Sequence, residues 1–180
     1  MGVDLPDALA DDVAAVQDPF RPADGLRFTD PGQAHVTLAF LGDVEESRVE
    51  AVAEAVRAAI DDAGVGPFEA TYGGLGVFPS MEYISVVWLG VGEGAERLAR
   101  LQAAVEDRTT ALGFEPADHE FTPHVTLART DHAGGTERVG RLVRERDPTV
   151  GTDRVEAVAL TESELTDDGP EYTTVERVEL

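Results

Sequence analysis

Cysteine is absent from this 180-residue chain, and so is lysine: all 14 basic residues are arginine. The first absence excludes disulfides, thiol nucleophiles and cysteine-ligated metal. Long apolar runs are missing too, since nothing approaches the ~20 consecutive apolar residues that span a bilayer. The opening Met1-Gly2-Val3-Asp4-Leu5-Pro6-Asp7 has no basic stretch leading into an apolar one, so no secretory leader is expected. A soluble, cytoplasmic protein with no membrane contact fits these absences.

What is abundant is negative charge. Asp and Glu number 36 and the formal net charge is −22. A nucleic-acid mimic or an acidic tail would cluster its carboxylates, whereas here they run from end to end. An ordinary acidic protein would rarely lack lysine altogether. The pattern fits adaptation to a cytoplasm of very high salt. There the Debye length shrinks to roughly 3 Å near 1 M, and carboxylates keep the surface hydrated without strong self-repulsion. So much negative charge ordinarily argues against an RNA substrate. In high salt that argument weakens, and recognition falls to short-range contacts in a shaped pocket.

Hydrophobic residues make up 42% of the chain and recur periodically, enough for one folded domain with a real core. Strands are predicted at 1–3, 26–28, 35–41, 68–78, 84–91, 124–128, 154–160 and 172–178, and helices at 6–16, 43–63, 95–112 and 136–146. Asp43 and Glu46 are spaced as a capping pair for the second helix, which Gly64 ends. A polar turn is expected around Asp167-Asp168-Gly169-Pro170. The mixture lacks strict strand–helix alternation, which points to an α+β fold with antiparallel sheet.

One internal repeat organises the rest. His35-Val36-Thr37-Leu38-Ala39 returns as His124-Val125-Thr126-Leu127-Ala128, eighty-nine residues later. Each copy follows a loop, occupies a strand and precedes a helix, so the chain reads as two related lobes. With period-2 alternation, His35, Thr37 and Ala39 share one face, and Val36, Leu38 and Phe40 the other. In the second copy His124, Thr126 and Ala128 oppose Val125 and Leu127. If the lobes face each other, two imidazoles and two hydroxyls line one cleft. A lone His-x-Thr on a strand is ordinarily structural; a buried structural histidine would not need a second copy with its threonine at the same offset.

That set of groups suits a phosphodiester. One group must take a proton from water while another gives one to the leaving oxygen, and imidazole, with a reference pKa of about 6.5, can do either. Threonine hydroxyls can donate to the non-bridging oxygens. The scheme needs no metal and no cofactor.

His35-Val36-Thr37-Leu38-Ala39-Phe40-Leu41-Gly42 and Pro123-His124-Val125-Thr126-Leu127-Ala128-Arg129 closely resemble the paired motifs of the two-histidine phosphoesterases. Within that superfamily the chain resembles the RNA 2′,3′-cyclic phosphodiesterases, also called 2′-5′ RNA ligases. Weaker matches lie at Val3-Asp4-Leu5-Pro6, Gly74-Leu75-Gly76-Val77-Phe78-Pro79, Val87-Trp88-Leu89-Gly90 and Gly169-Pro170-Glu171-Tyr172. The resemblance implies a bilobal α+β fold with pseudo-twofold symmetry, two intertwined lobes in one domain and a cleft between antiparallel sheets. It implies a monomer acting on RNA with a 2′,3′-cyclic phosphate end, such as tRNA fragments, or on small cyclic nucleotides, with 2′-5′ ligation as the reverse reaction. His35 would be the proton donor to the 3′ oxygen and His124 the base that activates water, leaving a 2′-phosphate. Thr37 and Thr126 would hold the phosphate. Arg129 matches a family arginine near it, although strict alternation puts Arg129 on the face opposite His124. Phe78 matches a position where an aromatic stacks on the terminal base; a core Phe before a turn is the other reading. Two departures stand out. The amino end is a few residues short, and Phe28 occupies a slot where relatives often carry Trp.

Two rival functions compete with this reading. A metal hydrolase would need the motif histidines grouped with carboxylates, yet His119 and His132 form no tight spacing with either motif. A non-catalytic module that binds RNA ends or cyclic nucleotides is the stronger rival, although a decayed enzyme would ordinarily have lost one His or Thr.

Overall fold

The computed structural model describes residues 1–166 and 169–180. Among them the strands are β1 (Gly2–Asp4), β2 (Leu26–Phe28), β3 (His35–Thr37), β4 (Phe68–Pro79), β5 (Ile84–Val91), β6 (His124–Thr130), β7 (Thr149–Val155), β8 (Ala157–Thr166) and β9 (Gly169–Glu179). The helices are α1 (Ala10–Gln17), α2 (Val49–Ala63), α3 (Ala95–Ala111) and α4 (Thr136–Glu145). The α+β class expected from the sequence holds. No helix among the described residues is long and apolar enough to cross a membrane.

The helices follow from their apolar stripes. Val52, Val56 and Ile60 of α2 recur at helical spacing and are buried, as are Leu98, Leu101 and Val105 of α3. Gly64 closes α2 in the left-handed region, its N–H reaching the carbonyls of Ile60 and Asp61.

All strands join one antiparallel sheet in the order β7-β4-β5-β6-β3-β1-β8-β9, with β2 also paired to β6. Four strands therefore lie on each side of the β6–β3 junction, where a single bridge pairs Val36 with Val125. Helices α1 and α4 pack on β6, β7 and β4, while α2 packs along α3 and onto β9. Strand β1 pairs with β3 and β8, while α1, next in the chain, packs on β6 and β7. The large apolar side chains of the central strands, Val3, Val36, Val87, Leu89, Val125 and Leu127, are buried in the core. The opposite face of these strands carries the polar repeat residues.

Several sequence expectations need correction. The predicted strand at 154–160 is two strands broken at Glu156, because β7 pairs with β4 at one end of the sheet and β8 with β1 and β9 in the other half. The strand expected at 35–41 stops at Thr37, since its neighbour β1 is only three residues long. Phe40 consequently leaves the apolar face and is 71% exposed. The first helix starts with a 3₁₀ turn, Asp7–Leu9, before α1. Asp43 and Glu46 do not cap α2, which is preceded by the 3₁₀ turn Glu46–Arg48 and has no side-chain cap. Of the predicted turn, Asp167 and Asp168 lie outside the described residues.

Candidate active site

The site is built by the central register. In an antiparallel pair, residues directly opposite project to the same face. Val36 opposite Val125 sends both valines into the core. One step outward, His35 falls across from Thr126 and Thr37 across from His124, all four on the opposite face. The two imidazoles are then diagonal neighbours, with strand positions roughly 7–8 Å apart. All four side chains are partly exposed.

Both rings are held in one orientation. Nδ1 of His35 lies 2.9 Å from the Gln33 carbonyl, and Nδ1 of His124 lies 2.7 Å from the Thr122 carbonyl. A carbonyl oxygen only accepts, so in each ring Nδ1 carries the hydrogen, and Nε2 is left to take or give a proton. The rings are also buttressed alike. Tyr172 meets His35 edge-on with ring centroids 4.9 Å apart, and Phe78 meets His124 edge-on at the same distance, 4.9 Å.

The second repeat departs from its copy after Thr126. Along the β5–β6 ladder Trp88 pairs with Thr126, but Val87 pairs with Ala128, so Leu127 is an extra residue in a β-bulge. The bulge reverses the alternation beyond it. Ala128, expected beside His124 and Thr126, turns into the core and is 1% exposed. Arg129, expected on the far face, turns onto the face of His124 and pairs with Val86 there. Phe78, itself opposite Val86, joins the same row. The core reading of Phe78 is corrected in the same way: its ring abuts a site histidine.

The family model described as the 2′-5′ RNA ligase superfamily matches residues 5–167. The chain belongs to that superfamily. It is 38% identical over 178 residues to a Methanothermobacter thermautotrophicus protein named RNA 2′,3′-cyclic phosphodiesterase, covering 98% of this chain and 95% of that one. An Aeropyrum pernix protein of the same name is 39% identical over 145 residues, 80% of each chain. Among solved structures, one from Thermus thermophilus superposes with TM-score 0.79 at 29% identity, covering 99% of this chain and 95% of the other. E. coli LigT complexed with 3′-AMP superposes with TM-score 0.78 at 22% identity over 99% and 95% of the two chains, a likeness of fold.

The surroundings of His124 disfavour its charged form. Burial pushes the His124 imidazole below its ordinary value of 6.5, and the charges of Arg129, His119 and His35 push the same way against the opposing hydrogen bond to Thr122. His124 is thereby favoured as the free base at neutral pH.

Two residues of the site carried no role in the sequence reading. Trp88 pairs with Thr126 on the cleft face, 5.2 Å from Phe78 and 6.1 Å from His124 between ring centroids. Its indole lies directly over Gly76, where any Cβ would overlap the ring. Tyr172 arrives from β9, its backbone N–H donating to the side chain of Gln33 at 3.3 Å. A bulge in the ladder between Leu160 and Thr161 lies on the way to that contact. Beside His35 and Tyr172 opens a cavity of about 470 Å³, reaching to Asp4, Thr174 and Arg177. That volume lies within the range of small-molecule pockets. Among the described residues no three His, Asp or Glu side chains gather into a metal-holding group.

Proposed function

We propose that this chain hydrolyses 2′,3′-cyclic phosphodiesters at RNA ends to 2′-phosphomonoesters, with His35 and His124 as its acid and base. The observation that carries the reading is the Val36–Val125 bridge, whose register sets two imidazoles and two threonine hydroxyls on one face. The curated names of the relatives support the same reaction.

Each step uses chemistry that these groups can supply. Water placed opposite the 3′ oxygen loses a proton to Nε2 of His124, which burial holds as the free base. The new P–O bond forms as the P–O3′ bond breaks, and His35 delivers its Nε2 proton to O3′. The 2′ ester stays intact, so the product carries a 2′-phosphate and a free 3′-hydroxyl. Thr37 and Thr126 donate to the non-bridging oxygens, and Arg129 supplies positive charge from the adjacent row. Phe78 and Trp88 offer a platform on which the terminal base can stack. Run backwards with a 5′-hydroxyl in place of water, the same groups would make a 2′-5′ linkage. tRNA fragments and small cyclic nucleotides are both chemically acceptable substrates. We place the chain in the cytoplasm as a monomer, one domain of two interlocked halves working in high salt.

The deciding experiment follows a cyclic-ended oligonucleotide in molar potassium chloride with chelator present, and locates the phosphate on the product. A 2′-phosphate formed by the wild type, and lost in both His35→Ala and His124→Ala, is expected. Product binding without any turnover by the wild type would instead make the chain a binding module.

A further inference from the structure

Arginine is scarce on this acidic surface, yet two arginines face each other across one pair of strands. The β2–β6 register sets Arg27 directly opposite Arg129. Since the Leu127 bulge turns Arg129 onto the His124 face, Arg27 shares that face. The neighbours agree: Leu26 and Phe28, on either side of Arg27, pack against the core. Like charges directly opposite in a ladder repel. Here the repulsion is only partly relieved. Arg27 reaches one carboxylate, Asp131 at 3.3 Å, with both side chains about half exposed. Arg129 has no ion-pair or hydrogen-bond partner among the described residues. In a chain of 36 acids and 14 arginines counter-charges are plentiful, yet among the described residues these two guanidinium groups share one carboxylate, leaving charge available for an anion.

Their positions say which anion. Arg129 lies three residues beyond Thr126, roughly 7–10 Å along the strand, and Arg27 lies one strand further out. Arg129 is close enough to act on His124. Arg27 is set back from a phosphate held between the histidines and threonines. Phe78 occupies the same row on the other side of Val86, so an aromatic surface and two guanidinium groups follow one another across the face. Such a sequence matches a nucleic-acid strand, with bases to stack and phosphates to pair.

We propose that Arg27, one strand further out than Arg129, seats the internucleotide phosphate immediately 5′ of the cyclic end, while Arg129 faces the cyclic phosphate itself. The inference rests on the function proposed above and adds a specificity to it. The Arg27 contact makes the enzyme prefer the end of an RNA chain over a free cyclic nucleotide.

The test uses three substrates: a dinucleotide with a terminal 2′,3′-cyclic phosphate, the same dinucleotide with a neutral methylphosphonate linkage, and the cyclic mononucleotide. The wild type should favour the phosphate-linked dinucleotide over its methylphosphonate twin by roughly 10-fold or more in kcat/KM, the scale of a charge-assisted contact. In Arg27→Gln that ratio should fall to nearly one. Arg27→Lys, which keeps the charge but loses the fork, should fall between, and it carries the test should the Gln variant fold poorly. The inference is overturned if the wild type shows no preference between the two dinucleotides. It is equally overturned if the ratio survives in the variants, or if Arg27→Gln lowers all three substrates by one factor. Turnover of none of the three by the wild type would be a different failure, that of the proposed function itself.

Discussion

Gln17, at the end of α1 and fully buried, donates its side-chain amide to the carbonyl of Leu127, 110 residues further along the chain, at 3.0 Å. The same amide donates to the Thr29 carbonyl at 2.9 Å. Thr29 completes the clasp: its N–H reaches the Leu127 carbonyl at 3.1 Å and its hydroxyl the Thr126 carbonyl at 2.7 Å. Leu127 is the bulged residue that turns Arg129 toward His124. A helix and a loop from the first third of the chain thus hold the bulge that sets the second repeat apart from the first.

Gln17→Leu should therefore act through Arg129. Its effect on stability is expected to be modest, about 1–3 kcal/mol, because the lost hydrogen bonds are partly offset by removal of a buried amide oxygen that has no partner. Its effect on kcat/KM should be larger, roughly 10- to 100-fold, the cost of misplacing site groups by about an ångström. Placed in an Arg129→Ala background, Gln17→Leu should cost far less than it does alone. Steady-state kinetics of the single and double variants check this; fully additive losses would detach Gln17 from Arg129.

Thr37→Val and Thr126→Val keep the shape of the strands and remove one hydroxyl each. Both threonines are partly exposed, so melting temperature should move little. If the hydroxyls meet negative charge that grows at the non-bridging oxygens, kcat should drop by about 10²-fold in each with KM nearly constant. A rise in KM with kcat preserved would reassign them to ground-state binding.

How much of this could be read from the sequence differs from one feature to another, for physical reasons. The repeated pentapeptide and the helical stripes are local, and both were legible. That the repeats should face one another was also an expectation of the symmetry. The bulge was not, because His124-Val125-Thr126-Leu127-Ala128 is identical to the first copy and contains no Gly or Pro to mark a break. Gln17 and Thr29 impose it from outside the segment. The split at Glu156 escaped for a similar reason. Val155 and the run Ala157 to Leu160 are separated only by Glu156, with no Gly or Pro to mark a break, and only pairing with different partners divides them. Tyr172 lay far from His35 in sequence, and the contact depends on the path of the β8–β9 hairpin.

Trp88 is the only tryptophan in the chain, which makes the aromatic platform directly observable. It rests on Gly76, whose missing side chain is what gives the indole its room. A 2′-nucleotide binding to the wild type should quench Trp88 emission by stacking nearby. Gly76→Ala must displace the indole from its seat. Quenching should weaken and nucleotide affinity should fall, by about 1–3 kcal/mol per lost stacked base. Unchanged titration curves in Gly76→Ala would remove Trp88 from the binding surface.

The pH behaviour follows from His124. The acid limb of kcat/KM reports protonation of the base in the free enzyme, and burial places that group below the ordinary 6.5. Activity should therefore persist to more acidic pH than an unperturbed histidine would allow. Arg129→Ala removes one of the charges that lower His124, so the residual activity of that variant should show its acid limb shifted upward, while burial still holds it under the ordinary value. The same shift has a consequence for folding. A histidine whose value is lowered on folding binds its proton more readily in the unfolded chain. Its contribution to stability is therefore complete above 6.5 and is lost as pH falls from there through the lowered value. His124→Asn cannot titrate in this range, so denaturant melts at pH 7 and pH 5 should show a smaller loss for the variant than for the wild type. A variant that loses as much stability as the wild type over that interval would show that His124 is not held as a buried free base.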